Sequence, residues 1–262
     1  MSIKPHSPAW YDRLATLQQG YYYPWRSKLP TLNGEDVFLS LLHEIVSPAK
    51  DVLEVGCGHG ELALQIAPSC QTLLAYDRVP AYIQLAQASA DAQQVSNVTF
   101  VCADSSIDIN GHALIPAADQ AFDVIYSRRG PLHWIDDARR VARPGAILLQ
   151  LNPAPPPPPV WNQYLPEQFQ LTAFAPPTME QTVKQRLANN QLAIHSCWSF
   201  QVQETFPTPE DLCTYITWGH DPAAVPPLTQ LAPTLTRIFT EFATPDGLDV
   251  PFGRFLWKAI VR

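Results

Sequence analysis

Residues 51–60 read Asp51-Val52-Leu53-Glu54-Val55-Gly56-Cys57-Gly58-His59-Gly60, and this stretch decides the fold. Its first five residues have the apolar, β-branched character of a short buried strand, and three glycines follow at alternate positions. A helix is predicted immediately afterwards, over 61–67. Glycine permits positive φ and a close approach of the backbone to a ligand, and a helix N-terminus presents unpaired N–H groups. A strand, a glycine loop and a helix in this order predict a nucleotide-binding turn.

Two acidic residues at the ends of the next two predicted strands extend this signal. The strand 72–76 ends at Asp77, 21 residues after Gly56, where a carboxylate can accept hydrogen bonds from both hydroxyls of a ribose. The strand 98–101 ends near Asp104, where an adenine amino group would lie. The glycines follow a Gly-x-Gly-x-Gly pattern, which disfavours a nicotinamide dinucleotide because such enzymes use Gly-x-Gly-x-x-Gly. A tight turn that binds no ligand is the structural alternative.

Strands and helices alternate along the chain, which predicts a parallel sheet with right-handed crossovers. Two helices, 9–19 and one that Asn33 caps and that runs to Val46, precede the glycine loop. The remaining elements are predicted as strands over 122–126, 146–151, 192–206 and 252–261, and as helices over 80–93, 131–142, 178–190, 209–218 and 228–242.

Proline divides the chain into parts of different character, since most of its 27 prolines lie from Pro153 onward. The five prolines 155–159 predict a stiff polyproline II strut from the sheet into a less regular cap, with a ligand for an SH3-like partner as the alternative. The predicted domains are a helical lid over 1–50, a cofactor-binding core over 51–151, a proline-rich strap with a sixth strand and a substrate cap over 152–250, and a final strand over 251–262.

The composition restricts the partners that the protein can have. The 262 residues carry a net charge of −7 without a basic stripe, which argues against nucleic acid or an anionic membrane. The five cysteines are odd in number and scattered, which fits a reducing cytosol and indicates neither disulfides nor a metal site. No apolar run is long enough to span a bilayer, and residues 1–10 lack a secretory signal. We therefore predict a cytoplasmic monomer or homodimer.

Four stretches of the chain, in order and correctly spaced, resemble the class I S-adenosylmethionine-dependent methyltransferases. The close similarity covers about 51–151, and 205–212 is similar to small-molecule members related to ubiquinone and biotin pathway enzymes. The resemblance implies a Rossmann-like α/β fold, with a seven-stranded sheet whose last strand is antiparallel, N-terminal helices and an inserted cap. The residues that carry the resemblance are 52–60, Leu74-Ala75-Tyr76-Asp77, Cys102-Ala103-Asp104 and 122–127. The turn 143–149 also matches the family's turn into the fifth strand.

The resemblance also implies S-adenosyl-L-methionine as the cofactor and S-adenosyl-L-homocysteine as the product. A sulfonium cation attracts aromatic faces, so Tyr22 in the aromatic segment 21–26 is expected to close over it, and Arg26 to bind a carboxylate. Packing of these aromatic residues against the N-terminal helices is the alternative. Val79 is expected to cover adenine, because Arg78 occupies the usual apolar position. The expected cofactor contacts are Tyr22, Arg26, Glu54, Gly56, Cys57, Gly58, Gly60, Asp77, Arg78, Val79, Ala103, Asp104, Ser105 and Ser127.

A second set of residues is expected to face the methyl acceptor. Arg128 and Arg129 end the fourth strand, where ligands bind in open α/β sheets, and can hold a carboxylate; the alternative is pairing with Glu54, Asp136 or Asp137. His133 is the candidate catalytic base, because the N-terminus of the predicted helix 131–142 keeps an imidazole neutral. The alternative for His133 is an exposed histidine without a catalytic role. The alternative for Trp134 is packing, and the alternative for His220 is a position in a surface loop. The expected substrate contacts are Tyr23, Arg128, Arg129, Trp134, Trp218 and His220.

The predicted function is methyl transfer to a small-molecule acceptor, with O-, N- and C-methylation all open. The alternatives are an RNA or protein methyltransferase, which the acidic charge disfavours, and a protein that binds the cofactor but catalyses another reaction such as a cyclisation. A non-catalytic binding module is a further alternative, because a fold does not determine a function.

Overall fold

Seven strands form one sheet in the computed structural model, which describes residues 7–106, 114–172 and 176–262. They are β1 (Asp51–Val55), β2 (Thr72–Asp77), β3 (Val98–Cys102), β4 (Phe122–Arg128), β5 (Ala142–Pro153), β6 (Ile194–Phe206) and β7 (Leu248–Ile260). Their order is β3-β2-β1-β4-β5-β7-β6. The first five run parallel, whereas β7 is antiparallel to both β5 and β6. The predicted Rossmann-like sheet with an antiparallel last strand is therefore confirmed.

Helices cover both faces of this sheet. They are α1 (Pro8–Leu17), α2 (Glu35–Ile45), α3 (Glu61–Ile66), α4 (Pro80–Gln93), α5 (Ala138–Val141), α6 (Met179–Asn189), α7 (Pro209–Thr217) and α8 (Leu228–Phe242). The helix predicted over 9–19 begins at Pro8, because the Ser7 hydroxyl accepts from the Trp10 N–H at 3.3 Å and Pro8 occupies the first helical position. No helix in the described part of the chain is long and apolar enough to cross a membrane.

The core consists of one cluster on each face of the sheet and a third cluster in the cap. Alternate residues of β1 point to opposite faces, so Val52 packs with α2 and α3, whereas Leu53 packs on the face covered by α6. The third cluster joins α7 and α8 to Phe206 and Leu248, which pair at the ends of β6 and β7. The cap is therefore built on the outer ends of these two strands, and β7 begins at Leu248, earlier than the predicted residue 252.

The proline run leads from the sheet into the cap. The Ala154 N–H, just before the run, donates to the Gly253 carbonyl at 3.0 Å, so the chain leaves β5 alongside β7. After the run, the short 3₁₀ turn Val160–Tyr164 buries Trp161 in the cap cluster.

The predicted helix over 131–142 is wrong. The segment forms a 3₁₀ turn, His133–Asp136, followed by the single turn of α5. The helix cannot extend further because Ala142 already belongs to β5 and pairs with Phe122 of β4. Arg140 closes this connection by donating to Asp137 through Nε at 2.8 Å and through a terminal nitrogen at 2.6 Å.

Gly60 is expected to be indispensable for packing the glycine loop. A Cβ at Gly60 would lie 2.7 Å from the Ala86 Cβ and 2.8 Å from the Phe100 ring, at a φ of +82°. Gly60→Ala should therefore lower the free energy of unfolding by about 2–4 kcal/mol, through overpacking and backbone strain. Denaturant unfolding of the protein without added ligand measures this loss.

Gly145→Ala is the matched control, because Gly145 has a similar φ of +84° and no atom within 4 Å of an added Cβ. It should cost only about 1 kcal/mol, the penalty of a left-handed conformation alone. Equal losses in the two variants would contradict the packing role of Gly60.

Candidate cofactor and acceptor site

The glycine loop is fixed by the end of the neighbouring strand β2. The N–H groups of Gly56 and Cys57 donate to the Tyr76 carbonyl at 2.9 and 3.0 Å. The Asp77 carboxylate then accepts from the Gly58 N–H at 2.9 Å and from the Val79 N–H at 2.9 Å, one on each oxygen. Asp77 therefore faces the loop in a fixed orientation and keeps further lone pairs for a ligand. Burial raises the pKa of Asp77, and these two N–H groups oppose that effect.

Glu54 is a buried carboxyl directly before the loop, with a relative exposure of 2%. The Tyr126 hydroxyl donates to its Oε2 at 3.1 Å. Burial raises the pKa of Glu54 to about 8, although the Tyr126 hydroxyl and the positive charge of Arg128 favour the ionised form. The side chain is therefore mainly neutral at pH 7, and a cation placed beside it would favour its ionisation.

A hydrogen-bonded chain of three side chains lies at the carboxyl end of β3. The Tyr76 hydroxyl donates to Ser105 Oγ at 2.9 Å, and Ser105 Oγ also lies 2.9 Å from His133 Nε2. Burial lowers the pKa of His133, against the effect of the nearby Asp104 carboxylate. The lowered pKa favours the neutral imidazole, and its cause is burial and not the predicted helix N-terminus. Its position beside Asp104 and Ser105 is the expected adenine side, so the structure does not support His133 as a base for the acceptor.

The other residues predicted for the adenine side take the following positions. Asp104 is exposed and accepts from the Ser106 N–H at 2.9 Å. The Ala103 N–H donates to the Asp77 carbonyl at 3.0 Å, and Val79 is buried directly before α4. The Cys57 thiol is also buried, and burial raises its pKa, so it stays protonated.

The aromatic segment lies over the glycine loop. A Cβ at Gly58 would be 3.7 Å from the Tyr21 Cβ, and the Tyr21 N–H donates to His59 Nδ1 at 3.1 Å. His59 therefore attaches the N-terminal segment to the loop. Tyr22, in contrast, points outward with 49% of its surface exposed, so its predicted cofactor contact is not supported.

Tyr21, Tyr23, Trp25 and Trp218 form what we term the aromatic cluster. Tyr23 and Trp25 stack with ring centroids 4.8 Å apart. Trp218, which follows α7 in the cap, lies edge-on to Tyr21, Tyr23 and Trp25 at 5.5, 5.1 and 5.5 Å. The cluster therefore joins the cap to the segment over the loop, and Tyr23 and Trp218 lie together as predicted for acceptor contacts.

A group that we term the arginine cluster surrounds the Glu35 carboxylate beside the aromatic cluster. Arg128 Nε lies 2.9 Å from one carboxylate oxygen, and Arg254 Nε and Arg129 Nε lie 2.7 and 3.8 Å from the other. Burial alone would raise the pKa of Glu35, but the three guanidinium groups lower it to about 2. Arg128 and Arg129 thus pair with Glu35, and not with the acids that the sequence suggested.

Three residues predicted to contact the cofactor are engaged elsewhere. Arg26 binds Asp211 of α7 at 3.1 Å and is 76% exposed, so it belongs to the surface of the cap. Arg78 turns toward α1, where it donates to the Pro8 carbonyl at 2.6 Å and to Asp12 at 2.7 Å. Ser127 is fully buried, and its hydroxyl donates to the Val55 carbonyl at 2.8 Å.

Two residues predicted to contact the acceptor are also placed differently. Trp134 is fully buried; its indole N–H donates to Gln150 at 3.1 Å, and its ring stacks on Trp257. It is therefore part of the core beneath the sheet. His220 contacts the Phe169 ring edge-on at 5.1 Å, away from the aromatic cluster.

Comparisons with known proteins agree with this geometry. Residues 52–148 match the family described as methyltransferase domain. The uncharacterized methyltransferase YcgJ of Bacillus subtilis is 25% identical over 126 residues, which cover 48% of this chain and 47% of that protein. The chain spans about half the length of the curated relatives it matches.

Two solved structures share the fold over nearly the whole chain. A functionally unknown protein from Deinococcus radiodurans R1 is 25% identical, with a TM-score of 0.64 over 95% of this chain and 97% of that one. The [4+2]-cyclase SpnF is 17% identical, with a TM-score of 0.56 over 97% of this chain and 92% of that one.

The sheet order and the glycine loop define the class of protein, which is the class I S-adenosylmethionine-dependent methyltransferase fold. The part of the chain that matches the methyltransferase domain, residues 52–148, contains the glycine loop and Asp77. The cofactor that this fold and this match indicate is S-adenosyl-L-methionine.

Glu54 is expected to make the stability of the protein pH-dependent. Its pKa of about 8 in the folded state lies above its ordinary 4.5, so between these values only the unfolded state releases the proton. The free energy of unfolding should therefore fall as the pH rises through this window. Glu54→Gln should remove this pH dependence. Between pH 5 and 9, the free energy of unfolding of the variant should therefore rise by roughly 2–5 kcal/mol relative to that of the wild type. Urea unfolding at a series of pH values measures the difference.

Glu44→Gln is the isosteric control, since Glu44 is exposed on α2. Its pH profile should follow that of the wild type. A Glu54→Gln profile parallel to the wild type would contradict the buried, neutral state of Glu54.

Proposed function

We propose that the protein transfers the methyl group of S-adenosyl-L-methionine to a small-molecule acceptor. The observation that carries the proposal is the pairing of the glycine loop with Asp77 at the carboxyl ends of β1 and β2, beneath the aromatic cluster. Ligands of open α/β sheets bind at this edge. The net charge of −7 and the enclosure of the site by side chains of the cap favour a small acceptor over a nucleic acid.

The residues of the site fit the cofactor. Asp77 would accept hydrogen bonds from the ribose hydroxyls, and the glycine loop, on which Tyr21 rests, would approach the ligand with its backbone. Asp104, Ser105 and His133 would border adenine. The aromatic faces of Tyr21 and Tyr23 would lie toward the sulfonium, in keeping with the attraction of cations to rings.

The cofactor supplies an activated methyl group with its own leaving group. The chain then has to align the acceptor and exclude water, which is worth at most about 7–11 kcal/mol. The aromatic cluster, to which Trp218 of the cap belongs, would provide an apolar wall for this purpose. No proton transfer is assigned to His133, because its Nε2 lies 2.9 Å from Ser105 Oγ, on the side expected for adenine.

Within the predicted lid over 1–50, the segment before α2 would act as the lid, because α2 belongs to the core, and residues 152–250 would supply much of the acceptor pocket. The lid rests on the loop through Tyr21 and His59, and on the end of β2 through Asp12 and Arg78. Cofactor entry would require these contacts to open. They are few and partly exposed, which suits a segment that opens locally.

Asp77→Asn is expected to weaken cofactor binding by about 10–100-fold, because the amide loses charge-assisted hydrogen bonds to the ribose. Isothermal titration with S-adenosyl-L-homocysteine measures the affinity. Asp91→Asn, an exposed change of the same kind on α4, should bind like the wild type.

Circular dichroism of Asp77→Asn separates lost binding from a lost fold, since Asp77 also supports Gly58 and Val79. Folded wild-type protein that shows no binding at millimolar cofactor would overturn the proposal. If the cofactor binds, a mass increase of one methyl group in an acceptor screen would identify transfer, whereas products of unchanged mass would indicate another reaction.

A further inference from the structure

We propose that the arginine cluster binds an oxyanion of the methyl acceptor, a carboxylate or a phosphate group. The proposal rests on the proposed function, because it assigns a chemical class to the acceptor of that reaction. It is carried by charge, by burial, by unused hydrogen-bond donors and by the position of the cluster beside the glycine loop.

The cluster contains more positive than negative charge. Arg128, Arg129 and Arg254 share the single carboxylate of Glu35. The next acid, Glu204, accepts from Ser27 Oγ at 2.6 Å and from Trp25 Nε1 at 3.5 Å, in a separate contact. Even when Glu204 is ionised, three guanidinium groups face two carboxylates.

These charges are largely removed from water. The exposed fractions of the side chains are 26% for Arg128, 15% for Arg129, 11% for Arg254 and 14% for Glu35. Water screens an excess charge poorly at such depth, and an uncompensated buried charge is costly. An anionic ligand would remove this cost. A purely structural ion pair that attaches α2 to β4 and β7 would need only one arginine for the one carboxylate.

Several donors of the cluster have no partner among the described residues. Arg128 uses only Nε, and its terminal nitrogens donate to no described group. The Nε of Arg129 is buried without a hydrogen bond. Guanidinium donors of this kind match the two oxygens of a carboxylate or phosphate group.

The backbone holds Arg129 in place at a conformational cost. Arg129 has a φ of +63°, a left-handed conformation that is unfavourable for residues other than glycine. Its N–H donates to the Leu151 carbonyl at 2.8 Å, which fixes this conformation at the end of β4. Strained residues of this kind concentrate at ligand sites.

The cluster also lies at the correct place for an acceptor. The guanidinium carbon of Arg129 is 5.0 Å from the Tyr23 ring and 6.0 Å from the Tyr21 ring, and Tyr21 rests on Gly58 of the loop. The Arg129 guanidinium also donates to the Tyr23 hydroxyl. An acceptor whose oxyanion binds the arginines would therefore place its apolar part against the aromatic cluster, toward the cofactor.

Binding of simple anions tests the proposal without knowledge of the natural acceptor. Benzoate, its neutral analogue benzamide and inorganic phosphate are titrated into the full chain at constant ionic strength, with and without S-adenosyl-L-homocysteine. Benzoate or phosphate should bind at least tenfold more tightly than benzamide. The tighter of the two anions identifies the oxyanion as a carboxylate or a phosphate.

Arg129→Gln should weaken anion binding at least tenfold, whereas the control Arg237→Gln should not change it. Arg237 is 56% exposed on α8, where it pairs with Glu241, so the control makes the same charge change outside the site. Equal binding of benzoate and benzamide, an unchanged affinity in Arg129→Gln, or no anion binding at millimolar concentration would overturn the proposal.

Glu35→Gln provides a test that does not depend on the folding of the arginine variant. It removes the internal counter-ion, so a bound anion should raise the melting temperature of this variant more than that of the wild type. An equal rise in the two proteins would indicate a purely structural cluster. Anion binding without cofactor binding would defeat the proposed function alone, and cofactor binding without anion binding would defeat this inference alone.

Discussion

The carboxylate of Asp77 is the point on which the geometry of the site depends. One of its oxygens accepts from Gly58 and the other from Val79, so a single side chain fixes both the loop after β1 and the start of α4. The loop in turn supports Tyr21 through His59. Asp77 therefore holds the loop and the helix that follows β2, and through the loop it also supports the lid. A bound ribose would contact the same carboxylate.

The N-terminal segment connects the glycine loop to the cap. Near the loop it is attached through Tyr21, and further along it pairs with β6, where the backbones of Lys28 and Thr205 exchange two hydrogen bonds of 2.9 Å. Arg26 adds an ion pair with Asp211 of α7. Because one segment contacts both the loop and the cap, opening it would expose the cofactor side and the acceptor side together. A closed state would enclose both.

Local sequence predicted the glycine loop and the neighbouring strand ends, because their determinants are close together along the chain. The strand before the loop, the strand end at Asp77 and the start of α4 at Pro80 follow from the spacing of the glycines, the acidic residue and the proline. The acceptor side depends on contacts that spacing does not reveal. Glu35 meets Arg128 across 93 residues and Arg254 across 219.

Two aromatic residues also show that local sequence does not reveal contacts with distant parts of the chain. Trp134 is expected among the acceptor contacts, with packing as the alternative, and its partners Gln150 and Trp257 on β5 and β7 make it part of the core. Tyr22 is the predicted cofactor contact and Tyr21 is not, although alternate residues of an extended segment face the same way. Tyr21, Tyr23 and Trp25 are the set that such an alternation would have selected.

Arg128 connects the two halves of the site electrostatically. It pairs with Glu35 at 2.9 Å, and its charge also favours the ionised form of Glu54, which lies before the glycine loop. A sulfonium cation near Glu54 would promote loss of its proton, whereas an anion on the arginine cluster would offset the charge of Arg128 and weaken that tendency. The two proposed ligands, one cationic and one anionic, would then influence each other through a single half-buried arginine, with no change in backbone structure required.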